Sequence, residues 1–214
     1  MRRIVEPEWL DELPPEDPAA IHSRRDLRWI NRRLGTAAWL RGQLATRRAP
    51  GERVIELGAG DGTLALDLAP ALGSEHYAGL DRVSRPPAWT GTWHQTDVFN
   101  FPHWPRYPVV IASLFLHHFT EPQLRQLGAA FAPSARLLLF SEPARRRRFQ
   151  WVFALACRFA GAHRVTRHDG HISIAAGFRG DELPVFLGLD PNEWRWKTDI
   201  APLGAYHLRA ERRS

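Results

Sequence analysis

The sequence predicts an α/β fold: a single domain on a mostly parallel sheet of seven strands, with a terminal antiparallel strand and helices ahead of it at the N-terminus. Three observations carry this. Short apolar runs alternate with helical segments from residue 53 to residue 161; one of those runs feeds a glycine-rich turn that opens a helix; and the last two runs lie close together. The strand candidates are 53–57, 76–80, 92–95, 109–113 and 137–141, and the helices between them are 63–72, 121–131 and 144–161. Strands that are apolar along their length and separated by helices indicate a parallel sheet covered on both faces. Thr120 and Pro122 mark the start of the second helix. The runs 194–200 and 205–211, joined by Ala201-Pro202-Leu203-Gly204, read as an antiparallel pair closing the sheet.

Ahead of the sheet, a proline- and acid-rich lead runs from Glu6 to Pro18. Asp17 precedes Pro18 as an N-cap precedes proline at the first helical position. Leu27, Ile30 and Leu34 follow at helical spacing, and Gly35 is a C-terminal stop. A second helix is expected over 36–48, broken by Ala49-Pro50-Gly51. The chain thus divides into a helical extension or lid over 1–50 and the main domain over 51–214.

Composition narrows the class. The 214 residues are 44% hydrophobic and 24% charged, ordinary values for a globular domain. The first nine residues hold no apolar core of a signal peptide, and no stretch approaches the roughly 20 apolar residues of a spanning helix, so a cytoplasmic location is expected. Cys157 is the single cysteine, which excludes an intrachain disulfide or a cysteine-based zinc cluster. The net charge of +6 is almost entirely arginine, clustered at Arg24, Arg25, Arg28, Arg32 and Arg33 and again from Arg145 to Arg148. Such clusters suit nucleic acid, anionic lipid or acidic metabolites, or are solvated helix faces.

The most informative stretch is Val54-Ile55-Glu56-Leu57-Gly58-Ala59-Gly60-Asp61-Gly62-Thr63. Glycines at a strand-to-helix turn permit positive φ and close approach of a ligand to the backbone, while the free N–H groups favour an anion. The spacing of Gly58, Gly60 and Gly62 departs from the dinucleotide fingerprint, in which the third glycine falls three residues after the second. It resembles motif I of the class I S-adenosylmethionine methyltransferases of small-molecule type. Three more segments match in order. Tyr77-Ala78-Gly79-Leu80-Asp81 resembles the second strand with its terminal acid, Gln95-Thr96-Asp97-Val98-Phe99 the acidic turn after strand three, and Val109 to Phe119 strand four with its following loop.

The resemblance implies a Rossmann-like domain and S-adenosyl-L-methionine as cofactor. It implies cofactor contacts from Glu56, toward the methionine end, and from Gly58, Ala59, Gly60 and Gly62 in the turn. Asp81 falls to the ribose hydroxyls, with Arg82 beside it; Asp97 and the Val98 N–H fall to adenine, and Ser113 lies near the sulfonium. The likeness covers 53–141 firmly and the rest loosely. One departure stands out: Arg82-Val83-Ser84-Arg85-Pro86-Pro87 leaves no room for a regular helix between strands two and three.

Subclasses can be excluded. Ser113-Leu114-Phe115-Leu116 is unlike the Asn/Asp-Pro-Pro-Tyr motif of amino-methyltransferases on nucleobases. Cys157 falls in an apolar helix and reads as a core residue, and Ala112-Ser113 offers no acidic metal ligands; no metal site is expected. A small-molecule acceptor follows, and the 9 tryptophans and 11 phenylalanines, several where such a fold builds its acceptor lid, favour a hydrophobic one: a phenol, quinol, polyketide or lipid, methylated at oxygen or carbon. An RNA-modifying enzyme and a non-catalytic scaffold are the alternatives, with nucleic acid the less favoured partner. His117 and His118, in the loop beside the methyl donor, are the candidate catalytic residues, with His168 and His171 behind them. Adjacent His168 and Asp169 are not expected to orient each other. His171-Ile172-Ser173-Ile174 faintly resembles a segment of quinone-biosynthesis C-methyltransferases, but reads more simply as a loop leading into a short helix at Asp181.

The helix after strand five opens on the four arginines and continues with Phe149, Trp151, Val152, Phe153, Leu155 and Phe159. It reads either as a buried helix with a charged first turn or as a face for an anionic membrane.

Overall fold

Apolar runs of the length and spacing described above pair into one seven-stranded sheet. In this computed structural model, which describes residues 1–14 and 16–213, the strands are β1 (Val54–Leu57), β2 (Tyr77–Asp81), β3 (Thr92–Gln95), β4 (Val109–Ser113), β5 (Leu137–Pro143), β6 (Trp194–Ile200) and β7 (Ala205–Arg212). Pro15, in the proline-rich lead, and Ser214 lie outside the described residues. The order across the sheet is β3-β2-β1-β4-β5-β7-β6. The first five strands are mutually parallel, and β7 runs antiparallel between β5 and β6. Winding reverses at β1, which pairs with β2 on one side and β4 on the other, so a crevice opens at the carboxyl ends of these strands.

The helices are α1 (Trp9–Glu12), α2 (Pro18–Leu34), α3 (Thr36–Arg47), α4 (Thr63–Leu72), α5 (Glu121–Phe131), α6 (Arg147–Phe159), α7 (Arg164–Ala176) and α8 (Glu182–Phe186). Asp17 caps α2 by accepting the Ala19 N–H, and Gly35, at φ 73°, ends it in the left-handed conformation and turns the chain into α3. Thr120 and Gln123 form a reciprocal capping box on α5.

Alternation along the strands divides the core between two faces. Ile55, Leu57, Val110, Leu138 and Phe140 pack on Leu124, Leu127 and Phe131 of α5. Val54, Ile111, Leu137 and Leu139 face Leu40 and Leu44 of α3 and Ala65 and Leu68 of α4. Helix α3, in the N-terminal segment, therefore covers the sheet.

The region 82–91 contains no helix, as Pro86 and Pro87 require. Trp89 and Trp93 fill the space instead, lying where a Cβ on Gly79 would meet them at 2.8 and 2.7 Å.

Three expectations are corrected. Residues 171–174 are not a loop: they lie within the thirteen-residue helix α7, and only the short helix after Asp181 is found where expected. Helix α6 begins at Arg147 rather than at residue 144, because β5 runs on to Pro143 and Ala144 bridges to Phe178. Arg145 accordingly leaves the basic run. It is buried, donating to the Gly177 carbonyl and pairing with Glu182.

Phe140, fully buried at the centre of the sheet and edge-on to Phe131, anchors the α5 face. Phe140→Ala is expected to cost about 3–5 kcal/mol in chemical denaturation; a loss under about 1 kcal/mol would mean that this layer is not packed as described.

Candidate active site at the carboxyl ends of the strands

The turn after β1 is built for close approach. Gly58, Gly60 and Gly62 hold φ of 64°, 53° and 75°. Gly58 and Ala59 donate to the Leu80 carbonyl at 2.9 and 3.4 Å, which fixes the turn to β2. A Cβ on Gly58 would strike the Phe115 ring at 2.1 Å, whereas one on Gly60 would meet nothing nearer than the Gly58 carbonyl oxygen at 3.9 Å. Gly60 therefore faces open space, and this is the cradle a side chain would fill.

Around it stand the expected residues. Asp81, ending β2, accepts the Gly60 N–H at 2.8 Å and the Val83 N–H at 3.1 Å. Arg82 is exposed beside it. Asp97 Oδ1 accepts the Phe99 N–H at 2.9 Å and opens a short 3₁₀ turn that begins at the buried Val98. Ser113 ends β4. Arg28 of α2 reaches Asp61 in the glycine turn at 3.2 Å.

Glu56 is buried within β1 and accepts the Tyr77 hydroxyl at 2.7 Å. Burial pushes its carboxyl up to about 8, with Asp81 and Asp61 adding to the rise and the Tyr77 hydrogen bond opposing it.

Glu142 was not singled out from the sequence, yet it organises the loop after β4. The side chain is completely buried. One oxygen accepts the N–H groups of Phe115 and Leu116 at 3.1 and 2.9 Å; the other accepts the His117 N–H at 3.3 Å and its Nδ1 at 2.8 Å. The preceding residue, Leu114, takes φ 53°, a left-handed conformation costly for leucine. His117 Nε2 lies 3.3 Å from Glu8 Oε1, and Ser173 donates to the same Glu8 oxygen. The signal for Glu142 was available: an acid at the carboxyl end of a parallel strand, like Asp81 and Asp97. Glu8 carried none, being one acid among several in the lead.

The two histidines diverge sharply. Burial opposes protonation of His117, but the hydrogen bonds and charges of Glu142 and Glu8 outweigh it and raise its pKa to about 9. The ring is an imidazolium at neutral pH with both nitrogens engaged, so it lacks the free lone pair a base needs. Burial and the His117 charge lower His118 to about 4. That ring is neutral, lies 3.7 Å from Asp11, and lines the adjoining cavity. Nitrogens of His117 and His118 and an oxygen of Glu8 also fall within 4.8 Å of one another, the spacing of a metal-ligand cluster, but with both of its nitrogens hydrogen-bonded His117 has no lone pair to offer a metal. His168 and Asp169 do orient each other, contrary to expectation, at 2.9 Å; Asp169 also receives the Trp9 and Leu10 N–H groups, and Trp9 stacks on His168. The pair thus secures α1.

From Ser113, Leu114, His117 and His118 a cavity of about 980 Å³ extends between α2 and α6. Leu27, Ile30 and Leu34 form one wall and Phe149, Phe153 and Ala156 the other.

A family model described as a methyltransferase domain matches residues 24–175. The chain belongs to the methyltransferase family. Solved structures agree in fold. The plantazolicin methyltransferase BpumL, crystallised with SAH and a triazolic desmethylPZN analogue, aligns with a TM-score of 0.71 at 12% identity, covering 96% of this methyltransferase and 93% of that chain. A structure titled for conversion of a disulfide bond into a thioacetal group during echinomycin biosynthesis aligns at 0.56 and 19% identity, covering 82% and 81%. One described as a putative O-methyltransferase from Nostoc punctiforme aligns at 0.55 and 10%, covering 84% and 57%. No match was found among curated proteins.

The histidine assignment predicts two well-separated titrations by nitrogen-detected NMR, His117 near pH 9 and His118 near pH 4. His117 is raised above its unfolded value of about 6.5, so its stabilisation is whole below that pH and is lost as pH rises through 9. His117→Asn should therefore flatten the fall in melting temperature between those limits. Titration of both rings near 6.5 would contradict the network.

Proposed function

We propose that the protein transfers a methyl group from S-adenosyl-L-methionine to a small hydrophobic acceptor, a phenol, quinol, polyketide or lipid, at oxygen or carbon. The observation that carries this reading is the apolar cavity opening at the end of β4, whose following loop lays Phe115 against Gly58 of the glycine turn. The open space over Gly60 fits the cofactor. Gly58, Ala59, Gly60 and Gly62 would hold its methionine end with Glu56, Asp81 and Arg82 its ribose, Asp97 and Val98 its adenine, and Ser113 its sulfur end. When bound, the cofactor supplies an electrophilic methyl group.

The chain's own residues position and deprotonate. Glu142 and the charged His117 hold the loop 114–118, and His118 is the group facing the cavity that can take a proton from an acidic acceptor. Its low pKa makes it a weak base, which favours acceptors with the more acidic protons. Within the N-terminal segment ahead of the domain 51–214, α2 serves as the lid over the cavity, while α3 belongs to the packing of the sheet. No described helix is long and apolar enough to cross a membrane, and the reading carries a cytoplasmic location with peripheral contact to an anionic membrane. The RNA alternative is disfavoured because the cavity walls are aliphatic and aromatic rather than a basic track.

Calorimetry with S-adenosylhomocysteine tests the site. Gly60→Val should abolish binding, and Asp81→Ala should weaken it by about 2–3 kcal/mol, the scale of hydrogen bonds to a charged group. Absence of binding to the wild type, or wild-type affinity in both variants, would overturn the assignment. A ligand ammonium beside Glu56 favours its ionised form, so affinity should rise with pH up to about 8, and Glu56→Gln should remove that rise.

A further inference from the structure

Helix α6 carries large apolar side chains on its outer face as well as on its inner one. Only Phe149 and Cys157 on it are buried, while Trp151, Leu155 and Phe159 are 77%, 56% and 82% exposed. Spaced four apart, they form a single stripe. A core helix, one of the two readings open from sequence, would bury them.

The stripe is continuous with the mouth of the cavity. Val152, one residue from Trp151, is 53% exposed and lines the cavity as well. Across the mouth, exposed Leu203 and Trp29 line the same opening, with Arg33 stacked over Trp29 at 4.1 Å. Charge follows the apolar surface on both sides. Arg146, Arg147, Arg148 and Arg158 flank the stripe, Arg25 and Arg33 flank the mouth, and α6 contains no acid. The acids lining the cavity are taken: Asp26 receives the His163 N–H and the Thr166 hydroxyl, and Glu8 is held by His117 and Ser173.

We propose that this face docks on an anionic bilayer, with the α6 stripe in the interface and the cavity mouth opening toward the acyl region, so that a membrane-dissolved acceptor enters without crossing water. Aliphatic and aromatic side chains bordered by arginines match the two layers of such a surface. A second copy of the chain would set arginines against arginines. Nucleic acid would leave Val152, Leu155 and Leu203 without a partner. The proposal rests on the reading of the acceptor as hydrophobic and adds where the acceptor comes from.

Sedimentation with vesicles of phosphatidylcholine alone, or with phosphatidylglycerol added, tests it. The wild type should bind the anionic vesicles at least about tenfold better, and high salt should weaken that binding without abolishing it. Tryptophan emission should shift to the blue on binding, and the shift should shrink in the variant lacking Trp151. Trp151→Ser/Leu155→Ser/Phe159→Ser should lose the salt-resistant part, and Arg146→Gln/Arg147→Gln/Arg148→Gln the preference for anionic lipid. Both variants should keep the wild-type melting temperature and affinity for S-adenosylhomocysteine, since the changed side chains are exposed and away from the glycine turn. Equal sedimentation of wild type and variants, no vesicle binding, a concentration-dependent dimer abolished by the serine variant, or binding to structured RNA in place of vesicles would each overturn the proposal. If vesicle binding stands but S-adenosylhomocysteine does not bind, the fault lies with the methyltransferase chemistry and not with the docking face.

Discussion

A single buried carboxylate governs the working end of this molecule. Glu142 sits at the tip of β5 with no exposure and gathers three consecutive backbone N–H groups and one imidazole. A carboxylate in that position would be costly alone; four donors, one of them charged, offset its desolvation. The consequence is geometric. The loop after β4 is drawn across the crevice, Leu114 is held at positive φ, and Phe115 is laid against Gly58, where no side chain could stand. The N-terminal segment closes the network from outside, with Glu8 on His117 and Arg3 donating to the carbonyls of His117 and Phe119.

The arrangement explains why adjacent histidines differ so much. His117 is trapped between two carboxylates and keeps its proton; its charge then helps to empty His118. Two groups with the same ordinary pKa are pushed to opposite sides of neutrality by their surroundings, one serving as structure and the other as a free lone pair at the cavity. The cavity itself belongs to helices outside the sheet. Its walls come from α2 and α6, whereas α3, α4 and α5 carry the packing of the sheet.

Much of this was legible in the sequence, for local reasons. Strands buried on both faces announce themselves as apolar runs, and the caps at Asp17, Gly35 and Thr120 mark helix ends by side-chain chemistry alone. The proline pair after Asp81 correctly foretold the missing helix. What escaped depends on partners distant in the chain. Helix α7 was missed because Asp169, Gly170 and Ser173 weaken its local signal; its contacts with α1, α2 and α6 make it a helix. Arg145 looked like the first of four surface arginines, but the extra length of β5 carries it inward to Glu182. Glu142 fell just beyond the expected strand end. The outward stripe of α6 could not be told from an inward one by periodicity, which fixes a face but not its direction.

The central claim is that Glu142 holds the loop 114–118 in place, and amide hydrogen exchange reads that directly. The N–H groups of Phe115, Leu116 and His117 should be strongly protected in the wild type, and Glu142→Gln, which removes the charge but keeps one acceptor oxygen, should cost them about one to two powers of ten in protection while leaving β1 and β4 nearly unchanged. Rapid exchange of those three amides in the wild type, or equal protection in the variant, would contradict the account.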